Sequence, residues 1–387
     1  MTELDTIQLK RSFNFKDIEK LIRKTLNSEN SKLQIPNTFS YSGGFGMEGA
    51  ALQLFSTWLR HSSNHTIHTA VKDTDNSEQF NDLCNKLFGL TCLRLSDTIW
   101  SNSKQEIALP TALKPAIGSF DRIRREDFKN AFKGMYLTIP AIKSSTYGGK
   151  NREFDSPLYN EESVVGSKKF LDITEKSIDA IAPGIRVRLD NDKVINHLSE
   201  ILRELFTNTH RHARSDVHGN PYSKNFRAII FNSINLTTER LDEISKSGGA
   251  KLTLFIGDWK PKGSEQFRAI DITIVDSGPG YARRWSKLDK DDLNIDIEKA
   301  AIVECFKKHR SSDITDSSGS GLSNVLNDLK ALRGWFRLRT GRTLVEKSFF
   351  DNSGSDKISI EDIKEMNDFA EGVVFNVVIP LKSFSRT

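Results

Sequence analysis

AIDITIVDSGPGYA, residues 269–282, is the stretch from which the rest of the chain can be organised. Ile270, Ile272 and Ile274 alternate with Asp271 and Thr273, the two-residue period of a strand with one buried face. The run ends at Asp276, and Gly278 and Gly280 follow, where the backbone can come close to a neighbour or a ligand. Further apolar runs lie at 227–234 (RAIIFNSI), 252–256 (LTLFI), 335–338 (WFRL) and 373–379 (VVFNVVI). Helical stretches at about 294–309 and 321–333 separate some of them, and a long amphipathic helix from about Asp192 to Arg214 precedes them. This order predicts a layered α/β sandwich, a mixed sheet with helices stacked on one face.

Two other segments carry polar groups in a pattern. ELFTNTHRHA, residues 204–213, spaces Glu204, Asn208 and His212 by four, so all three share one helix face. Asn208 offers a neutral oxygen to Mg²⁺, which takes few protein ligands, and Glu204 one turn earlier can orient or deprotonate a water. SSDITDSSGSGLSNVL, residues 311–326, runs from serines and glycines into an apolar helix, whose free N–H groups form an anion site. Asp276 at its strand end can accept a hydrogen bond from an exocyclic amine such as that of adenine. Taken singly, each segment also reads as something plainer: a satisfied polar face, an Asp-x-Gly turn, a flexible linker ending in a helix cap.

In this order the three segments resemble the GHKL ATPase superfamily, which includes sensor histidine kinases, gyrase B subunits, MutL proteins and the ninety-kilodalton heat-shock chaperones. ELFTNTHRHA is similar to its N box, DSGPG to its first glycine box, SGSGLS to its second and EGVVFNVVIPL to its final strand, and the resemblance covers about residues 185–381. It implies a Bergerat-type sandwich binding ATP and Mg²⁺, with Glu204 as general base and Asn208 as metal ligand. Asp276 would take the adenine amino group, and Gly278 and Gly280 would line the base. Ser320, Gly321 and Leu322 would form the phosphate turn. Residues 311–319, rich in Ser and Gly and without apolar anchors, read as a mobile lid over the phosphates to which Ser311, Ser312, Ser318 and Gly319 contribute. His212 would stand near the phosphates. The chain departs from the family at Ser323, where a glycine is common, and at Val373, where many members carry threonine. The implied function is Mg-dependent ATP hydrolysis serving as a switch for the N-terminal region or a partner. The alternative is a GHKL-type protein kinase acting on Ser or His of a partner, because no phospho-accepting His opens a heptad pattern ahead of residue 204.

Outward from this core, residues 143–168 lack periodicity and suggest a boundary, so the division expected is 1–180 and 181–387, with insertions near 215–250 and 345–371. The first part reads as an α/β regulatory or output domain. Its Gly44-x-Gly46-x-x-Gly49, with Asp73 downstream, fits either a loose dinucleotide fingerprint or a tight strand–helix turn. A net charge of +5 on 387 residues does not indicate nucleic acid. Three scattered cysteines, no apolar signal segment and no membrane-length run predict a soluble cytoplasmic protein without a membrane partner, acting through a protein partner or self-association.

Overall fold

The computed structural model describes residues 5–28, 30–41, 45–72, 77–132, 134–144, 153–183, 192–259, 266–307, 321–350 and 357–381. The chain opens with β1 (Asp5–Gln8), α1 (Phe15–Leu26), β2 (Ser31–Ile35), α2 (Met47–His61), β3 (Thr66–Thr69), α3 (Leu87–Leu95), β4 (Thr98–Trp100) and β5 (Glu106–Ile107). These strands form a sheet in the order β1-β2-β3-β4-β5, parallel except for the last pair. Asn14 and Asp17 close a reciprocal cap at the start of α1.

The second half supplies β6 (Tyr136–Ser144), α4 (Ser167–Ile181), α5 (Asp192–His212), β7 (Lys224–Leu236), α6 (Thr238–Gly248), α7 (Ala250–Trp259), β8 (Phe267–Asp276), α8 (Gly321–Ala331), β9 (Trp335–Ser348) and β10 (Ile363–Pro380). Its sheet runs β9-β10-β8-β7-β6. Every pairing in it is antiparallel, where a mixed sheet is expected from the sequence; the mixed sheet is the N-terminal one. The edge strand β6 and the helix α4 both come from before residue 181, and β7 falls within the 215–250 segment as an interior strand paired on both sides. The run LTLFI is helical: Leu252, Phe255 and Ile256 turn inward at helical spacing while Leu254 is 69% exposed. A five-residue apolar run does not distinguish the two structures by itself.

Helix α8 packs against α5, and helices α4 and α5 cover one face of the second sheet. Its other face is covered too, by α2. That helix is buried all round from Met47 to Leu59, with Glu48, Gln53, Ser56 and Thr57 among the buried residues, because it lies between two sheets. Trp58 Nε1 donates to Ser31 O (3.0 Å) on the first sheet, and Gln53 Nε2 donates to Arg339 O (3.0 Å) on the second. The glycines at its start serve this contact. A β-carbon at Gly49 would stand 2.6 Å from Thr273 Cγ2 and 2.8 Å from Val374 Cγ1, and Gly46 (φ +74°) meets Asn376 in the same way. Gly44 and Asp73 lie outside the described residues. Among the described residues no helix is long and apolar enough to cross a membrane.

Candidate functional site

Helix α5 organises the site. Ile195, Leu198, Ile201, Leu202 and Leu205 are buried on its inner side, leaving Glu204, Asn208 and His212 on successive turns of a partly buried polar line. Glu204 Oε1 accepts a hydrogen bond from Arg203 Nη2, which also donates to Glu200 Oε2 (2.9 Å). Asn208 makes no side-chain hydrogen bond among the described residues, so its amide oxygen is available. Arg203 carries no periodic signal in the sequence.

At the C-terminal end of α5 the helix meets the turn after β8. Asp276 is 4% exposed and its Oδ1 accepts from Gly278 N (2.9 Å). Burial pushes its carboxyl up to about 7, against the opposing pull of the Gly278 N–H and the Arg227 guanidinium. A β-carbon at Gly278 would lie 2.5 Å from Ala213 Cα, so only glycine lets the turn rest on the helix end. Gly280 has φ +82°, and a β-carbon there would meet Thr340 Oγ1 at 2.6 Å. Thr340, Val373 and Asp276 stand in one row across β9, β10 and β8, which puts the Thr340 and Asp276 side chains on the same sheet face. Thr340 is thus a polar neighbour of the Asp276 turn that the sequence did not reveal, since cross-strand register cannot be read from one strand. From the opposite side of the sheet, Arg60 on α2 donates to Ser277 O and Lys224 O, both at 2.9 Å.

At the middle of α5 a third segment arrives. Gly321 is the first residue of α8, and a β-carbon there would stand 2.6 Å from Glu204 Oε2. Leu322 turns into the core, and His197 Nδ1 with Asp328 Oδ1 (2.8 Å) ties α8 to α5. Ser311, Ser312, Ser318, Gly319 and Ser320 lie outside the described residues, and the expected mobile segment with them. Beneath the site a buried ion pair joins Arg227 to Glu153 (2.6 Å), with the Tyr159 hydroxyl accepting from the same guanidinium. His210 is sequestered beside them, its pKa lowered to about 4 by burial and by Arg227 and Arg214. Among the described residues no group of three or more His, Cys, Asp or Glu gathers as a metal cage.

Three polar segments far apart in sequence therefore meet along one helix: Gly321 at Glu204, and the Asp276 turn at Ala213, with Asn208 and His212 between. The two contacts lie nine positions apart, about 14 Å along the helix axis. Comparison with models of known families, with characterised proteins and with solved structures finds no match.

Proposed function

We propose that the protein binds ATP with Mg²⁺ along α5 and hydrolyses it, within a Bergerat-type sandwich of the GHKL kind. The observation that carries this reading is the convergence of the Glu204–His212 line, the Asp276–Gly280 turn and the start of α8 on one helix. Asp276 would receive the adenine amino group, with Gly278 and Gly280 giving the base a backbone floor. The phosphates would run toward the N-terminus of α8, where unpaired N–H groups and the helix dipole favour anions. A metal with few protein ligands suits the single open amide of Asn208; it would neutralise phosphate charge when bound. Glu204, one turn away and against Gly321, would orient or deprotonate the attacking water. Nucleotide occupancy would be sensed by the N-terminal region or by a partner protein, since Arg60 links α2 to the Asp276 turn.

The test is incubation of pure protein with γ-labelled ATP, separating free phosphate from labelled protein. Free phosphate is the expected product. Glu204→Ala should lower its formation by about 10²–10⁴-fold, the range of a general-base contribution, while leaving ATP binding intact. Asn208→Ala should instead lose the Mg-dependent part of binding. Wild-type turnover in Glu204→Ala would refute the hydrolytic role, and label appearing on protein would establish the kinase alternative.

A further inference from the structure

On the sheet face opposite Asp276, a cavity of about 680 Å³ opens between α1, α2 and the β9–β10 pair. That volume lies within the range of small-molecule sites. Seven Lys and Arg line it against four Asp and Glu. Four ion pairs absorb the carboxylates: Arg23–Asp368, Arg339–Glu19, Arg337–Glu346 and Lys251–Asp362. Three ammonium groups at the rim, Lys16, Lys20 and Lys364, are left over, exposed and without an ion pair among the described residues.

The inner end has a different chemistry. Asn376 is fully buried and lines the cavity beside Gly46. Its Nδ2 donates to Asp271 Oδ1, Ile272 O and Thr273 Oγ1, three acceptors that fix which way the amide points. Its Oδ1 is left buried with no donor among the described residues. An unmatched buried acceptor is costly, and a ligand N–H or O–H would relieve it. Between the two ends the lining includes an aromatic ring and an aliphatic side chain: Phe15, with the Arg337 guanidinium 4.0 Å over its ring, and Leu344.

We propose that this cavity is a second binding site, for a small aromatic anion: the charge at the Lys16–Lys20–Lys364 rim, the ring against Phe15, and a hydrogen-bond donor at Asn376. The site is independent of the ATP reading, because it lies across the sheet from Asp276 and shares none of its residues.

Anilinonaphthalene sulfonate, which combines an aromatic body, an N–H and one anionic group, is the probe. Titration into the whole protein should show saturable fluorescence with one site per chain. The triple variant Lys16→Glu/Lys20→Glu/Lys364→Glu alters only exposed side chains and should weaken the probe at least about tenfold, as reversal of three nearby charges requires. Leu344→Trp, at a half-buried position, should fill the cavity and abolish the same signal. Uncharged phenylnaphthylamine should bind at least about tenfold more weakly than the sulfonate. The proposal is overturned if the charge variant, melting as wild type does, keeps wild-type affinity, if the uncharged amine binds as tightly, or if ATP displaces the probe completely.

Discussion

Asp276 holds its proton near neutral pH, and this has two measurable consequences. Its folded-state pKa of about 7 stands above the ordinary carboxylate value of 3.8 because the side chain is buried. A carboxyl raised in this way stabilises the fold fully below about pH 4, and that contribution is lost as pH rises through about 7. Asp271, pushed up to about 6 by burial, acts in the same direction. The ligand-free protein should therefore melt at a lower temperature at pH 8 than at pH 6. Asp276→Asn should flatten that slope; an unchanged slope in scanning calorimetry would contradict the assignment. Adenine binding has the opposite sign. An amine donor prefers the ionised carboxylate, so ATP affinity should rise between pH 6 and 8 as the proton leaves. Asp276→Asn should weaken ATP while the protein stays folded, and equal affinity by isothermal titration would remove Asp276 from the nucleotide site.

Among the elements, α2 is enclosed between two sheets, and Gly49 is where that constraint can be measured. Alanine would favour the helix by up to about 1 kcal/mol. Its methyl, however, would press on Thr273 Cγ2 and Val374 Cγ1 at 2.6 and 2.8 Å, two branched side chains held by sheet pairing. Overpacking of this kind costs about 1–3 kcal/mol, so Gly49→Ala should lower the denaturation midpoint without altering nucleotide affinity. Loss of nucleotide binding with unchanged stability would favour the dinucleotide reading of Gly46 and Gly49. The leucines and aromatics of α2 (Leu52, Leu54, Phe55, Trp58, Leu59) mark it as buried, but the sheet it meets cannot be read from them. The same division holds elsewhere. The four-residue spacing of Glu204, Asn208 and His212 and the alternation before Asp276 are local patterns, and the helix and strand they predict are present. Thr340 beside Gly280, Arg203 on Glu204 and Arg60 behind Ser277 depend on register, rotamer and a contact across more than two hundred residues. No spacing within one segment encodes these. LTLFI misleads for a different reason, since a short buried helix face and a strand share the same composition.

At the scale of the whole molecule, the two sheets share one core and should unfold together. Phe55 of α2 packs on Phe226 of β7 with ring centroids 6.3 Å apart. The contiguous buried cluster runs from Ile7 in the first sheet to Ile379 in the last strand. Polar links reinforce it: Lys224 reaches Asp97 just ahead of β4, and Glu371 N donates to Thr57 Oγ1 (3.0 Å) on α2. The second sheet also lacks an independent boundary at residue 181, because β6 pairs with β7 along nine residues from Tyr136 to Ser144. A fragment covering 181–387 would lose that edge strand, α4 and the α2 cover. It would expose Phe226, Ala228, Ile230, Val275 and Val374 to water, an apolar face with nothing to shield it. The full chain should therefore show one calorimetric transition, with calorimetric and van't Hoff enthalpies in agreement. Mg·ATP should move that whole transition upward, as any ligand of the folded state does. The 181–387 fragment should be unfolded or aggregated under the same conditions. Two resolved transitions in the full chain, with the fragment folded and melting at one of them, would show instead that the halves are separate bodies and that α2 rests on the sheet without supporting it.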